Sequence, residues 1–426
     1  MSEHRNIVEL WKADTDSRRE SANGSDVFIG ASVLITLVRL EGSSYRKPGA
    51  RLLSCVGKYA GSISGGCLDG EILRKAAWIT RDGAARKTYS TFFDDTNEMP
   101  YGLGCGGVVE LLFEPLHLPE TQALLTALEQ SFTGERMAVI TLLPSEDGPG
   151  STLQRVAMHA DGSVFFASNS LDEASRAGAV ELARKHLDES APHTACVEID
   201  LGGATRTIFL ERIEPPQRLI LFGAGDDAQP LAKMAHLLGW RVVVADGRPS
   251  LARVERFREA EAAFTLPPHA DVTASLHLTD KDAVVLLTHS YEQDRALLPQ
   301  LLPLGLRYLG LLGARHRSRL LLMETAAQLG WTPEECLQHV HAPVGLDLGG
   351  DSPEAVALAI VAEIQSVLHE REIQRRRISE KSLLDPPATP YIPVACPLDH
   401  LTDGIEEHSD SHPSNSHLKD AAKHVH

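Results

Sequence analysis

The stretch LILFGAGDDAQPLAKMAHLLGWRVVVAD, residues 219–246, constrains this chain more than any other. An uninterrupted apolar run meets a glycine turn, an amphipathic helix and a second apolar run. Strands without polar alternation are buried on both faces, which places these two side by side in parallel, with the helix as crossover. The runs AVVLLT (283–288) and YLGLLG (308–313) continue the pattern. SPEAVALAIVAEIQSVLHEREIQRR (352–376) is predicted to be a helix, with Ser352 as N-cap and Pro353 at the first helical position. Two prolines in EPPQ (214–217) mark a boundary ahead of the first run. A Rossmann-like parallel-sheet domain is therefore expected over 217–377.

The glycine turn has chemistry of its own. Gly223 and Gly225 lie where a strand ends and a helix begins, and backbone N–H groups and the helix dipole favour a phosphate there. Asp246 closes the next strand about 20 residues on, the place of a carboxylate that binds a ribose. Ala228 stands for the third glycine, a tolerated change, whereas Asp226 and Asp227 put negative charge where a phosphate would sit. Two readings stay open: a nucleotide at this turn, NAD(P) or another, or a scaffold that binds none. His289 ends a further predicted strand at the carboxyl edge, as a ligand-facing group or as an ordinary loop histidine. Arg315, Arg317 and Arg319 follow the next strand, where they can receive a phosphate or simply face solvent.

Residues 1–213 read as an α+β domain. NIVELWKA (6–13) suits a short amphipathic helix, and ETQALLTALEQSFTG (120–134) a helix that stops at its glycine. VFIGASVLITLVRLEGSSYRKPGARLLSC (27–55) reads as strand, turn and strand. Residues 137–213 alternate strands and turns around one helix, SLDEASRAGAVELARKHL, and are expected to complete the first domain's sheet. Three loops share a grammar: GSSYRKPGARLL (42–53), SISGGC (62–67) and YGLGCGG (101–107). Ser43, Ser44, Gly65, Gly66, Gly104, Gly106 and Gly107 let backbone amides line a cavity and form anion-binding nests. Arg46 or Arg51 can pair with a phosphate in bidentate fashion. Cys67 and Cys105 add thiolates, soft ligands suited to a heavy transition metal or to sulfur exchange; the plainer reading of each is a small buried apolar residue. Together the loops point to a large anionic ligand with a reactive or metallic end.

A net charge of −17 argues against nucleic acid and against anionic membrane surfaces as partners. Six scattered cysteines without zinc spacing suit reduced thiols rather than a disulfide framework. The polar start MSEHRNIVELWKADTDSRRE has no signal-peptide core, and no apolar run is long enough to span a bilayer, so a cytoplasmic protein is expected. Residues 378–426 are acidic and rich in histidine, and are expected to form a disordered, solubilising tail with at most weak affinity for divalent metals.

The quoted motifs, with VVLLTHSYEQD, YLGLLGARHR and HAPVGLDLGGDSPEAVALAIVAEI in the same order, resemble the XdhC/CoxI family over the chain to about residue 375. These are accessory proteins that mature molybdenum hydroxylases such as xanthine dehydrogenase. The resemblance implies a chaperone, a non-catalytic maturation factor, that binds molybdenum cofactor (molybdopterin). It would protect the cofactor during sulfuration by a cysteine desulfurase and insert it into the apo-enzyme. It further implies a homodimer, Cys67 and Cys105 near the molybdenum, and Arg46 on the phosphate. Asp69 stands where the family commonly carries Glu. Two other readings compete. An NAD(P)-dependent oxidoreductase would use Asp246 on a ribose and His289 for proton transfer, with no purpose for the cysteine loops. A partner-binding scaffold with a vestigial nucleotide fold would survive loss of the glycine turn.

Overall fold

A computed structural model of the chain describes residues 2–21, 32–66, 68–90, 107–145, 152–188, 190–267 and 270–372. The chain begins with a helix, α1 (Ser2–Ser21), followed by β1 (Val33–Gly42), β2 (Arg51–Cys55), β3 (Lys58–Gly61), α2 (Asp69–Ile79), β4 (Ala85–Ser90) and β5 (Gly107–Pro115). The five strands pair antiparallel in the order β3-β2-β1-β5-β4. α1 is longer than the apolar segment NIVELWKA alone suggests. Its polar continuation holds no glycine or proline, and Asp14 pairs with Arg18 one turn on at 2.7 Å. Ile7 and Val8 anchor the helix in a core shared with Leu34 and Leu53.

The next segment comprises α3 (Pro119–Ser131), β6 (Met137–Leu142), β7 (Gln154–His159), β8 (Val164–Ala167), α4 (Glu173–His186), β9 (Thr194–Leu201) and β10 (Ala204–Ile213). These strands do not extend the first sheet, as the sequence suggested. They form a second antiparallel sheet in the order β8-β7-β6-β10-β9. Met137 and Val139 join α3, Leu34 and Leu53 on one side, while Ala138, Ile140 and Leu142 meet Ala179 and Ala183 of α4 on the other. A strand covered on both faces reads as a continuous apolar run whichever sheet it joins, so the pattern alone could not assign it. Buried ion pairs link the two sheets: Arg155 to Glu114 at 2.9 Å, and Arg51 to Glu211.

The last described segment comprises β11 (Arg218–Phe222), α5 (Ala228–Leu237), β12 (Arg241–Asp246), β13 (Ala262–Thr265), α6 (Val272–Leu276), β14 (Ala283–Leu286), α7 (Tyr291–Leu301), β15 (Tyr308–Leu311), α8 (Arg315–Leu329), α9 (Pro333–Gln338) and α10 (Pro353–Leu368). All five strands are parallel, in the order β13-β12-β11-β14-β15. Side chains alternate between two cores: Leu219 and Leu221 pack with α5 and α10, Ile220 and Phe222 with α7 and α8. Helices thus cover both faces, as the unbroken apolar runs require. Ser352 caps α10 by accepting from the Ala355 N–H at 3.2 Å, with Pro353 next in the chain, as the sequence reads. The mixed α/β class, with antiparallel sheets ahead of a Rossmann-type parallel sheet, is as expected. The expected tail over 378–426 lies outside the described residues.

Candidate functional site

Antiparallel pairing draws the glycine-rich loops of the first sheet to one edge. β1 ends opposite the start of β5, with Gly42 paired to Gly107. Gly107 lies so close to the Ser43 carbonyl that a Cβ there would collide with it. The β1–β2 loop carries Ser43, Ser44, Tyr45 and Arg46 onto the β3–α2 loop, where the exposed Tyr45 ring lies on Gly65. A methyl added to Gly65 would sit 3.2 Å from that ring. The structure therefore brings Ser43, Ser44, Arg46, Gly65, Gly66 and Gly107 into one neighbourhood. Cys67, Gly104, Cys105 and Gly106 lie outside the described residues.

The amides of this edge already hold carboxylates. Asp69, at the start of α2, accepts from the Ile63 and Ser64 N–H groups, each at 3.0 Å, and from the Ser62 hydroxyl at 2.6 Å. The Ser64 hydroxyl donates to the same carboxylate at 3.0 Å and receives the Leu68 N–H at 2.8 Å. Asp69 is thus the internal strut of the SISGG loop. A second carboxylate comes from α1: Glu3 accepts the Ser62 N–H at 2.6 Å on one oxygen and the Arg46 guanidinium on the other. Nothing in the sequence signals Glu3, which is separated from both partners by an entire helix and at least one strand. Nor does the sequence single out Tyr45 or the Asp69 strut, although two serines spaced ahead of a helix-initiating Asp are a signal for the latter.

The neighbouring His4 is partly buried. Burial and the positive charges of Arg51 and Arg46 hold its imidazole neutral, with a pKa lowered to about 3. An unfolded chain would protonate this histidine near its ordinary value of 6.5. Stability is therefore full above that pH and falls as pH drops from there toward 3, because only the unfolded chain takes up the proton. A His4→Gln variant should show a flatter decline between about pH 7 and 5 than the parent, measured by urea denaturation at each pH.

Arg51 sits differently from Arg46. Its guanidinium is fully buried and pairs with Glu211, while donating to the Gly49 carbonyl at 3.1 Å. Among the described residues, the cysteines are free thiols: Cys55 and Cys336 are buried and Cys196 half-buried. Burial pushes the Cys55 thiol up to about 11, which leaves it inert as a nucleophile.

At the parallel sheet, the strand order reverses between β11 and β14, the switch point where such sheets open a crevice. Gly223 adopts φ +119°, and a Cβ there would run into the Leu287 carbonyl, so only glycine lets the two strand ends approach. Asp227 reaches across the crevice to His289, Oδ2 to Nε2 at 2.8 Å, beside Gly225. Asp246 has a fully buried side chain and accepts from the Ala224 N–H at 2.7 Å and from Arg248 Nε at 2.9 Å and Nη2 at 2.8 Å. Burial opposes its ionisation, but these donors outweigh it and hold the carboxyl below its ordinary range. Arg317 pairs with the buried Asp294 at 2.6 Å, whereas Arg315 and Arg319 are exposed. Among the described residues, no group of three or more His, Cys, Asp and Glu side chains is placed to hold a metal, and no helix is long and apolar enough to cross a membrane.

Known proteins resemble this chain in sequence and fold. Residues 30–90 match the XdhC and CoxI family, and residues 219–364 match the XdhC Rossmann domain. A Bacillus subtilis protein named as a probable xanthine dehydrogenase component is 29% identical over 335 residues, 78% of this chain and 92% of that protein. The molybdenum cofactor insertion chaperone PaoD of Escherichia coli is 24% identical over 348 residues, 80% of this chain and 85% of that protein. A crystal structure of a xanthine dehydrogenase from Bacillus halodurans superposes with a TM-score of 0.65 at 28% identity, covering 89% of this chain and 99% of that one. The first match spans the Arg46 and SISGG loops and the second the glycine turn and its parallel sheet, so the chain carries a segment of the XdhC and CoxI family followed by an XdhC Rossmann domain.

Proposed function

We propose that this protein is a chaperone that binds molybdenum cofactor and supports its sulfuration and insertion into a xanthine dehydrogenase-type hydroxylase. The names of the Bacillus subtilis and Escherichia coli relatives support a role in maturing such enzymes. The observation that carries the reading is the converged edge of the first sheet. There Arg46 and the Ser62 N–H together hold a carboxylate, a donor set that fits the oxygens of a phosphate equally well. The cofactor, as cargo, brings a phosphate at one end and a metal that takes soft sulfur ligands at the other. Arg46 and the Ser62 amide would take the phosphate, with Ser43 and Ser44 beside them. Cys67 and Cys105, the chain neighbours of Gly66 and Gly106, would supply thiols to the metal end. Tyr45 would cover the ring system.

A cysteine desulfurase and the apo-enzyme are the partners this function requires, in the cytoplasm and with the chaperone as a homodimer. A nucleotide portion of the cofactor, or a separate nucleotide, would go to the crevice at Gly223 and Gly225. No comparable support exists for an NAD(P)-dependent oxidoreductase, since Asp246 is committed to Ala224 and Arg248 and His289 to Asp227.

The test is the molybdenum and pterin content of the full chain purified from a host that makes the cofactor. The parent should retain both, and Arg46→Met should lose at least about tenfold in retention, the worth of one charge-assisted hydrogen bond. Loss in Cys67→Ala or Cys105→Ala with folding intact names the thiol that holds the metal. Retention in all three variants, or no cofactor in the parent, overturns the proposal.

A further inference from the structure

We propose that Arg46 and the Ser62 amide form an oxyanion site whose resident occupant, the Glu3 carboxylate, is an internal competitor displaced when a phosphate monoester binds. This rests on the reading of that edge as the cargo's phosphate site and adds how access to it is controlled. Glu3 meets both donors at once, one oxygen on the Ser62 N–H at 2.6 Å and the other on the guanidinium. It places a negative charge with two acceptor oxygens where an anion would bind.

The other loop donors are not available in the same way. Ile63 and Ser64 give their N–H groups to Asp69, Gly65 gives its own to the Ser62 hydroxyl, and Leu68 to the Ser64 hydroxyl. Those acceptors lie within seven residues of their donors and belong to the loop itself. Glu3 belongs to another element. It sits in the first turn of α1, ahead of Ile7 and Val8, the residues that anchor the helix in the core. A first turn frays without undocking the rest of its helix, so Glu3 can leave while Ile7 and Val8 stay packed. The site then exchanges a tethered carboxylate for a diffusible dianion. Empty of cargo, it stays satisfied and closed to weak anions.

The experiment titrates the full chain with a phosphate monoester, phenyl phosphate, by calorimetry, with circular dichroism as the check on folding. Glu3→Gln removes the competing charge and keeps a group of the same size; affinity is expected to rise about tenfold, 1.4 kcal/mol. Arg46→Met in the Glu3→Gln background should abolish the gain. Hydrogen exchange provides a measurement on the unaltered chain: phenyl phosphate should speed exchange in residues 2–9 and leave β2 unchanged. Unchanged or weaker binding in Glu3→Gln, or slower exchange in residues 2–9, overturns the proposal. Its failure differs from failure of the chaperone reading. Tighter phosphate binding with no molybdenum in any variant leaves the anion site standing and removes the cofactor. Arg46-dependent molybdenum with no effect of Glu3→Gln does the reverse.

Discussion

Replacing Arg51 by alanine is expected to cost roughly 3–5 kcal/mol of stability, because it leaves a buried charge without its partner. The guanidinium is fully buried, and Glu211 on the second sheet is nearly so. Without Arg51 that carboxylate must either stay charged in a poor solvent or take up a proton. The double variant Arg51→Met, Glu211→Leu should recover most of the loss, since both charges then disappear together. Chemical denaturation of the parent, Arg51→Ala and the double variant measures this. The same proteins decide which arginine meets an anion. Arg51→Ala with unaltered stability but lost phosphate binding would transfer the ligand role to it from Arg46.

Asp69→Ala is expected to have the largest effect on the loop that leads to Cys67. It removes the acceptor for two backbone N–H groups and two hydroxyls at once. Ile63 is buried, and each such donor left without a partner costs about 1–3 kcal/mol. The loop will reorganise to reach water, and the positions of Ser62 and Gly65 will go with it. Cofactor retention should therefore fall as far as in Arg46→Met, although Asp69 touches no cargo. Asp69→Asn keeps one acceptor oxygen and should recover part of both stability and retention. Thermal melting alongside molybdenum analysis tests this. Full retention in a melted or shifted Asp69→Ala protein would separate loop order from binding.

The parts of the fold legible in the sequence are those decided within a short span of chain. Ser352 and Pro353 announce the start of α10, and the glycine turn at Gly223 announces a strand passing into a helix. Continuous apolar runs announce strands covered on both faces. What was not legible depends on which strand pairs with which. The run MAVITL looks the same whether it extends the first sheet or founds a second, and only long-range pairing with β10 and β7 decided for the second. The candidate site divides the same way. Clusters of Gly, Ser, Arg and Cys marked the loops as unusual, because glycine and serine on turning backbone leave amides free to face a ligand, and an arginine beside them adds a charge for an anion.

The sequence by itself determined a parallel-sheet domain with a glycine turn, preceded by an α+β region bearing three glycine-rich loops, and these motifs identified the family. Only the tertiary structure decided what the charged residues do. Arg46 and Arg51 stand close together in the chain with the same chemistry, yet one meets Glu3 at the loop edge and the other Glu211 between two sheets. Asp246, read as a ribose ligand, is held by the backbone of its own glycine turn and by Arg248. A charge acts through whatever lies within a few ångströms of it, and folding chooses those neighbours from residues tens to hundreds of positions away.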